Sequence, residues 1–227
     1  MWPRLQFLWL LLSQPAQRRY AWRWWASQSP HYLLSTPCPW ITFGAIDFLR
    51  QSLRTGLTIF EYGSGGSTLF WLRYKPAALV SVEHDPAWHA QLAHRLDPTW
   101  PVDYRLVPPE VPAAPLLSPD PADPSLYASA DAIWPRHTFR RYVTQIDAFP
   151  AEHFDVVLVD GRARPACLRH SAPKVKVGGW LILDNSDRSY YLEGTASDLK
   201  NFAPRVFAGA IPQSPILSET TIFVRQS

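Results

Sequence analysis

Cysteine is scarce in this 227-residue chain: only Cys38 and Cys167 occur, far apart and outside any C-x-x-C spacing. That scarcity argues against a disulfide framework and a cysteine-based zinc site, and it suits a reducing cytoplasm. An excess of charge is also missing. Lys and Arg number 22 against 19 Asp and Glu, a formal net charge of +3, too small a surplus to argue for nucleic acid as a partner. The chain lacks a run long enough to span a bilayer. The segment Leu5 to Leu12 (LQFLWLLL) falls well short of the roughly 20 residues required, and Gln14-Pro15 follows it at once. After that segment, SQPAQRR makes a poor cleavage site, which argues against secretion.

Tryptophan (11) and proline (23) are abundant and unevenly placed. Near the start, Arg18, Arg19 and Arg23 interleave with Tyr20, Trp22, Trp24 and Trp25. Two readings stand for residues 1–28. One is peripheral membrane contact, with rings at the headgroup level and guanidinium groups on acidic lipids; the other is a helix packed on the domain or on an oligomer partner. The length allows one sizeable core, so the chain divides into an N-terminal aromatic and basic extension, 1–38, and one domain, 39–227.

From Pro39, Ile41, Ala45, Ile46, Leu49 and Leu53 recur at helical spacing up to a stop at Thr55-Gly56. Short β-branched runs then alternate with helical stretches: LTIFEY, ALVSVE, VDYRLV, FDVVLVD and GWLILD, with ETTIFVRQS as a closing strand. Such alternation predicts an α/β fold with a parallel sheet covered on both faces. Residues 108–135 are dense in Pro, Ala, Ser and Asp. They form an insertion loop that is neither regular helix nor central strand, and it reads equally as a lid or as a plain surface loop.

The chemistry concentrates where the first strand runs into Glu61-Tyr62-Gly63-Ser64-Gly65-Gly66-Ser67 and then into a helix. Strand, glycine turn and helix is the order a nucleotide pocket needs, because glycine lets the backbone turn sharply and approach a ligand. About twenty residues on, the second strand ends at Glu83, where a carboxylate can accept both ribose hydroxyl protons. Ser67-Thr68 stand where the dinucleotide fingerprint has a third glycine, which demotes a nicotinamide-dependent oxidoreductase to an alternative.

FEYGSGGST, VEHD, FDVVLVDGRAR and VGGWLILDNSDR, in this order, resemble the motifs of the class I S-adenosylmethionine-dependent methyltransferases. The resemblance covers roughly Pro39 onward. It implies a Rossmann-like, seven-stranded and mostly parallel sheet whose last strand is antiparallel. It also implies S-adenosylmethionine as cofactor, with Glu61 near the methionine amino end, Gly63, Ser64, Gly65, Gly66 and Ser67 around it, Glu83 on the ribose and Asp160 at the reaction edge.

Asp160, Asp184 and Asn185 further resemble the metal site of catechol-type O-methyltransferases, where the ion would be Mg²⁺ or another hard divalent cation that lowers the pKa of a substrate hydroxyl. The chain departs from that pattern: those enzymes carry a lysine base shortly after the first acid, and here Gly161-Arg162-Ala163-Arg164 follows. Arginine is a poor base. Without metal, Asp160 would hold the cofactor's charged end, and Arg162 or Arg164 would clamp an anionic substrate. His84, His137 and His153 stand isolated and read as surface or structural residues. The expected function is methyl transfer to an oxygen of a small molecule or glycan. The alternative from another class is a non-catalytic cofactor-binding or scaffold protein at a membrane surface.

Overall fold

The computed structural model describes residues 2–112, 120–130, 133–134 and 136–227. Seven strands make one sheet: β1 (Thr58–Tyr62), β2 (Ala78–Glu83), β3 (Val102–Leu106), β4 (Phe154–Val159), β5 (Val175–Asp184), β6 (Phe202–Ala210) and β7 (Leu217–Arg225). Their order is β3-β2-β1-β4-β5-β7-β6. Pairings from β3 through β5 are parallel, and β7 runs antiparallel to both β5 and β6. The order reverses between β1 and β4, so their carboxyl ends open the crevice where open α/β sheets bind ligands.

The helices are α1 (Trp2–Ser13), α2 (Ala21–Ala26), α3 (Tyr32–Ser35), α4 (Phe43–Ser52), α5 (Gly66–Leu72), α6 (Pro86–Ala93), α7 (Arg140–Val143), α8 (Arg164–Ser171) and α9 (Tyr190–Glu193). The sheet's central residues are apolar in succession, as burial on both faces demands, and alternate side chains enter two cores. One holds Phe60, Tyr62, Tyr142, Val157 and Leu168; the other holds Ile46, Leu49, Ile59, Trp71 and Leu158.

The α4 stretch and six of the strands lie where alternation and periodicity put them. Strand β6 had no signal of its own: its Pro204 suits only an edge, where β6 in fact lies with β7 as its sole neighbour.

The aromatic and basic segment packs against the domain. Phe7, Leu11, Tyr20, Ala21 and Trp24 are buried in the second core beside α4, and Arg23 pairs with Asp47 at 2.5 Å. Trp24 Nε1 donates to the Ser214 carbonyl and Trp40 Nε1 to the Pro212 carbonyl, both at 2.8 Å. The Ala210 and Gln213 amides donate to Gln17 Oε1 and Ser27 Oγ at 3.1 and 2.9 Å. Among the described residues no helix is long and apolar enough to cross a membrane.

Of the insertion, residues 113–119, 131, 132 and 135 lie outside the described residues. The rest is anchored. Glu110 and Thr138 exchange backbone hydrogen bonds of 2.9 and 2.8 Å, and Phe139 N donates to the Tyr127 carbonyl at 2.9 Å.

Candidate functional site

The glycine turn is shaped from both sides. Gly63 has φ +90°, open only to glycine at low cost, and a Cβ there would stand 2.8 Å from the Asp160 carbonyl oxygen. Gly65 lies under the Trp88 ring, whose Nε1 donates to the Ser64 carbonyl at 2.8 Å. A Cβ on Gly66 would strike the carbonyls of Leu33 and Cys38, so the extension closes over that residue. Gly65, Gly66 and Ser67 are buried, which leaves Gly63 and Ser64 partly exposed at the crevice.

Glu83 sits beside that turn at 3% exposure. Its Oε2 accepts from Ser64 N and Oγ at 3.0 and 2.9 Å, and its Oε1 accepts from the His84 and Asp85 amides at 2.8 Å. Burial works to raise this carboxyl, but the hydrogen bonds from His84, Asp85 and Ser64 outweigh it and hold the group below its ordinary value. The Ser64 hydroxyl has a second partner, Tyr104 Oη at 2.8 Å. It can therefore yield Oε2 to a competing donor.

His84 belongs to this arrangement in a structural role, one of the two expected of it. Its Nδ1 lies 2.9 Å from Glu83 Oε1, and its Nε2 accepts from Arg162 Nε at 3.2 Å. Arg162 thus braces the histidine that braces the acid. Adjacency to Glu83 was the only sequence signal available, and it carries no geometry by itself.

Glu61 goes elsewhere. Expected near a methionine amine, it is fully enclosed and accepts from Thr68 Oγ1, Trp71 Nε1 and Ser81 Oγ. It ties β1 to α5 and β2. Burial, opposed by these donors, lifts its pKa to about 7.

At the β4 and β5 ends, Asp160, Asp184 and Asn185 do converge, around a guanidinium. The turn Gly161-Arg162-Ala163 brings Arg164 back to the first turn of α8; Ala163 adopts φ +49°, and Pro165 helps start the helix. A Cβ on Gly161 would meet Tyr142 Oη at 2.0 Å, so only glycine fits there. Arg164, 8% exposed, donates from Nε to the Gly161 carbonyl at 3.0 Å, from Nη2 to Asp160 Oδ1 at 3.1 Å and from Nη1 to Asn185 Oδ1 at 2.9 Å. Nη1 also donates to the Asp184 carbonyl and lies 3.9 Å from Asp184 Oδ2. Thr220 Oγ1 donates to Asp184 Oδ1 at 2.9 Å.

Burial pushes Asp160 well above the carboxylate range, and the neighbouring Asp184 charge adds to this against the pull of Arg164. Burial raises Asp184 as well.

The expected metal set does not fit a divalent ion. Its oxygens already point at Arg164, and no group of three His, Cys, Asp or Glu residues among those described has metal-holding geometry. Beside the guanidinium lies a cavity of about 280 Å³ whose wall includes Gly161, Arg162, Arg164, Arg188, Tyr191 and Ser129 of the insertion. Among the described residues no carboxylate lines it. Arg188 and Tyr191 were not foreseen: nothing in NSDRSYY says that this turn folds back across α8.

No protein-family model and no curated protein sequence matches the chain. Solved structures do match. A candidate O-methyltransferase from Klebsiella pneumoniae aligns with a TM-score of 0.54 and 16% identity, over 88% of this chain and 91% of that one. An O-methyltransferase from Bacillus cereus, in complex with SAH, aligns at 0.54 and 14%, over 86% and 87%. The fold is that of the class I, Rossmann-like methyltransferases. An rRNA methylase from Streptococcus thermophilus shares it too, at a TM-score of 0.52 and 11% identity over 80% of this chain and 93% of that one. The class I fold therefore leaves the acceptor open.

Proposed function

We propose that this chain is an S-adenosylmethionine-dependent methyltransferase acting on an oxygen of a small acceptor. The observation that carries the reading is the direct joining of the Gly63-Ser64 turn to a Glu83 carboxylate held in its ionised form. A turn without side-chain bulk beside an ionised acid suits a ribose: Glu83 accepts from the two hydroxyls as Ser64 Oγ turns to Tyr104, while His84 and Arg162 keep the carboxylate oriented. Gly65, Gly66 and Ser67 frame that turn from behind. The cofactor, when bound, supplies an activated methyl group whose bond to sulfur breaks as the bond to the acceptor oxygen forms. The protein's share is orientation and exclusion of water. Asp160, between the glycine turn and the cavity, marks where the two ligands meet, and Arg162 and Arg164 in the cavity wall hold the acceptor. A cavity of about 280 Å³ favours a small molecule or a single sugar unit over a nucleic acid.

Calorimetric titration with S-adenosylmethionine and S-adenosylhomocysteine tests this reading. Binding by the wild type that weakens in Glu83→Ala supports it. A folded wild type that binds neither compound removes it.

A second reading adds to the first. Leu5, Trp9 and Leu12 of α1, with Trp22 of α2, are exposed, Trp9 by 72% and Trp22 by 77%. Arg4, Arg18 and Arg19 are exposed on the same segment. We propose that this face rests on an acidic membrane surface. Deleting residues 1–28 would remove buried Phe7, Leu11 and Trp24 and wreck the core, so the test is Trp9→Ser/Trp22→Ser. Undiminished binding of that double variant to acidic vesicles would refute the contact.

A further inference from the structure

We propose that Arg164 is the resident cation of the site, standing where the catechol-type pattern would place a divalent ion, and that this chain works without one. The inference rests on the geometry around Arg164 and holds whether or not the methyltransferase reading does. The oxygens expected as ligands are Asp160 Oδ1, the Asp184 carboxylate and Asn185 Oδ1, and each lies within 2.9 to 3.9 Å of a guanidinium nitrogen. The spacings to Asp160 and Asn185 are those of hydrogen bonds and the Asp184 spacing is that of an ion pair, whereas Mg²⁺ requires oxygens at roughly 2.0–2.1 Å in octahedral array. Nor is this a loose surface pair. Arg164 is buried, its Nε is fixed by the Gly161 carbonyl, and its position is set by the first turn of α8. Asn185 is locked in turn by Ser218 Oγ, which accepts from Nδ2 at 3.0 Å, and Asp184 by Thr220. Admitting an ion would require evicting a buried guanidinium and stripping each of these bonds.

The substitution changes what the site can accept. A divalent ion ionises a bound hydroxyl, whereas a guanidinium always carries its protons and offers only directed donors. Arginine has five N–H groups. Four of those on Arg164 are committed to Gly161, Asp184, Asn185 and Asp160, and the fifth, on Nη2, has no acceptor among the described residues. With Arg162 and Arg188 in the same cavity wall and no carboxylate there among the described residues, the acceptor class that fits is one whose oxygen is already anionic, such as a carboxylate.

Mn²⁺ binding measured by electron paramagnetic resonance decides the matter. It is run on the wild-type protein, on Arg164→Ala and on Arg164→Ala/Asp184→Asn, with folding checked by circular dichroism. The wild type should leave the Mn²⁺ spectrum that of the free ion. Arg164→Ala should melt roughly 10 °C lower, bind one ion per chain and recover part of that loss in millimolar Mn²⁺. The double variant should lose the ion again. Stoichiometric binding by the wild type that disappears in Asp184→Asn would overturn the proposal, and so would a folded Arg164→Ala that takes up no ion. The wild-type arm needs no variant to fold. Because cofactor binding is read by calorimetry and ion binding by resonance, failure of one reading is distinct from failure of the other.

Discussion

The two halves of the sheet edge hold their acids by opposite means. On the β1–β2 side, Glu83 gathers neutral donors: the His84 and Asp85 backbone amides and the Ser64 amide and hydroxyl. On the β4–β5 side, Asp160 and Asp184 share a single cation. Neutral donors can be exchanged one at a time, since a hydroxyl such as Ser64 Oγ has another partner to turn to. A buried cation between two acids cannot be exchanged piecemeal, because removing it leaves a buried acidic pair without its counter-charge. The first half is built to trade partners with a ligand. The second is built as a fixed frame beside which a ligand sits.

The largest test of that contrast is Arg164→Ala, which should cost about 3–5 kcal/mol by uncovering a buried pair of acids, read by urea unfolding. A loss no greater than that of a surface substitution would dissolve the distinction. Next comes Glu61, the acid that belongs to neither half. Its folded pKa of about 7 lies above the ordinary 4.5, so between those values the folded chain holds a proton that the unfolded chain has released. Stability should therefore fall as pH rises through that window, by about 3 kcal/mol at most. Comparing unfolding at about pH 5 and about pH 8, Glu61→Gln should flatten this dependence; an unchanged slope would assign it to another group. Smaller in effect is Glu83→Ala, expected to weaken S-adenosylmethionine by ten- to a hundred-fold, about 1.4–2.8 kcal/mol, with a lesser effect on melting. Equal affinity would mean that this half trades no partner. The smallest is Arg188→Ala. This residue is exposed on the cavity rim, and its loss should shift stability by no more than about 0.5 kcal/mol. A drop approaching that of Arg164→Ala would make the rim part of the frame.

What the sequence made legible follows the same division. The strands around the crevice announce themselves because burial on both faces leaves continuous apolar runs, and the Gly63-Ser64 turn and Glu83 follow from position at strand ends. The same rule placed Glu61 at the crevice, whereas it is enclosed within the layer, because a strand-end acid can point into the layer as readily as out of it, and the choice was set by Thr68, Trp71 and Ser81 on other elements. Asp160, Asp184 and Asn185 were rightly grouped. Their occupant was not, since a ligand trio and an arginine nest share one sequence pattern until α8 fixes where Arg164 reaches. Strand β6 went unread because an edge strand need not be apolar and here contains a proline.

The contacts between residues 17–40 and 208–214 bear on when the fold can close. Trp24, Trp40, Gln17 and Ser27 find their partners 172 to 193 positions further along, so on the ribosome the aromatic segment is made well before the residues that satisfy it. Until those residues emerge, Trp24 and its neighbours await β6 and β7 with their apolar surface uncovered, the condition in which nascent chains call on chaperones.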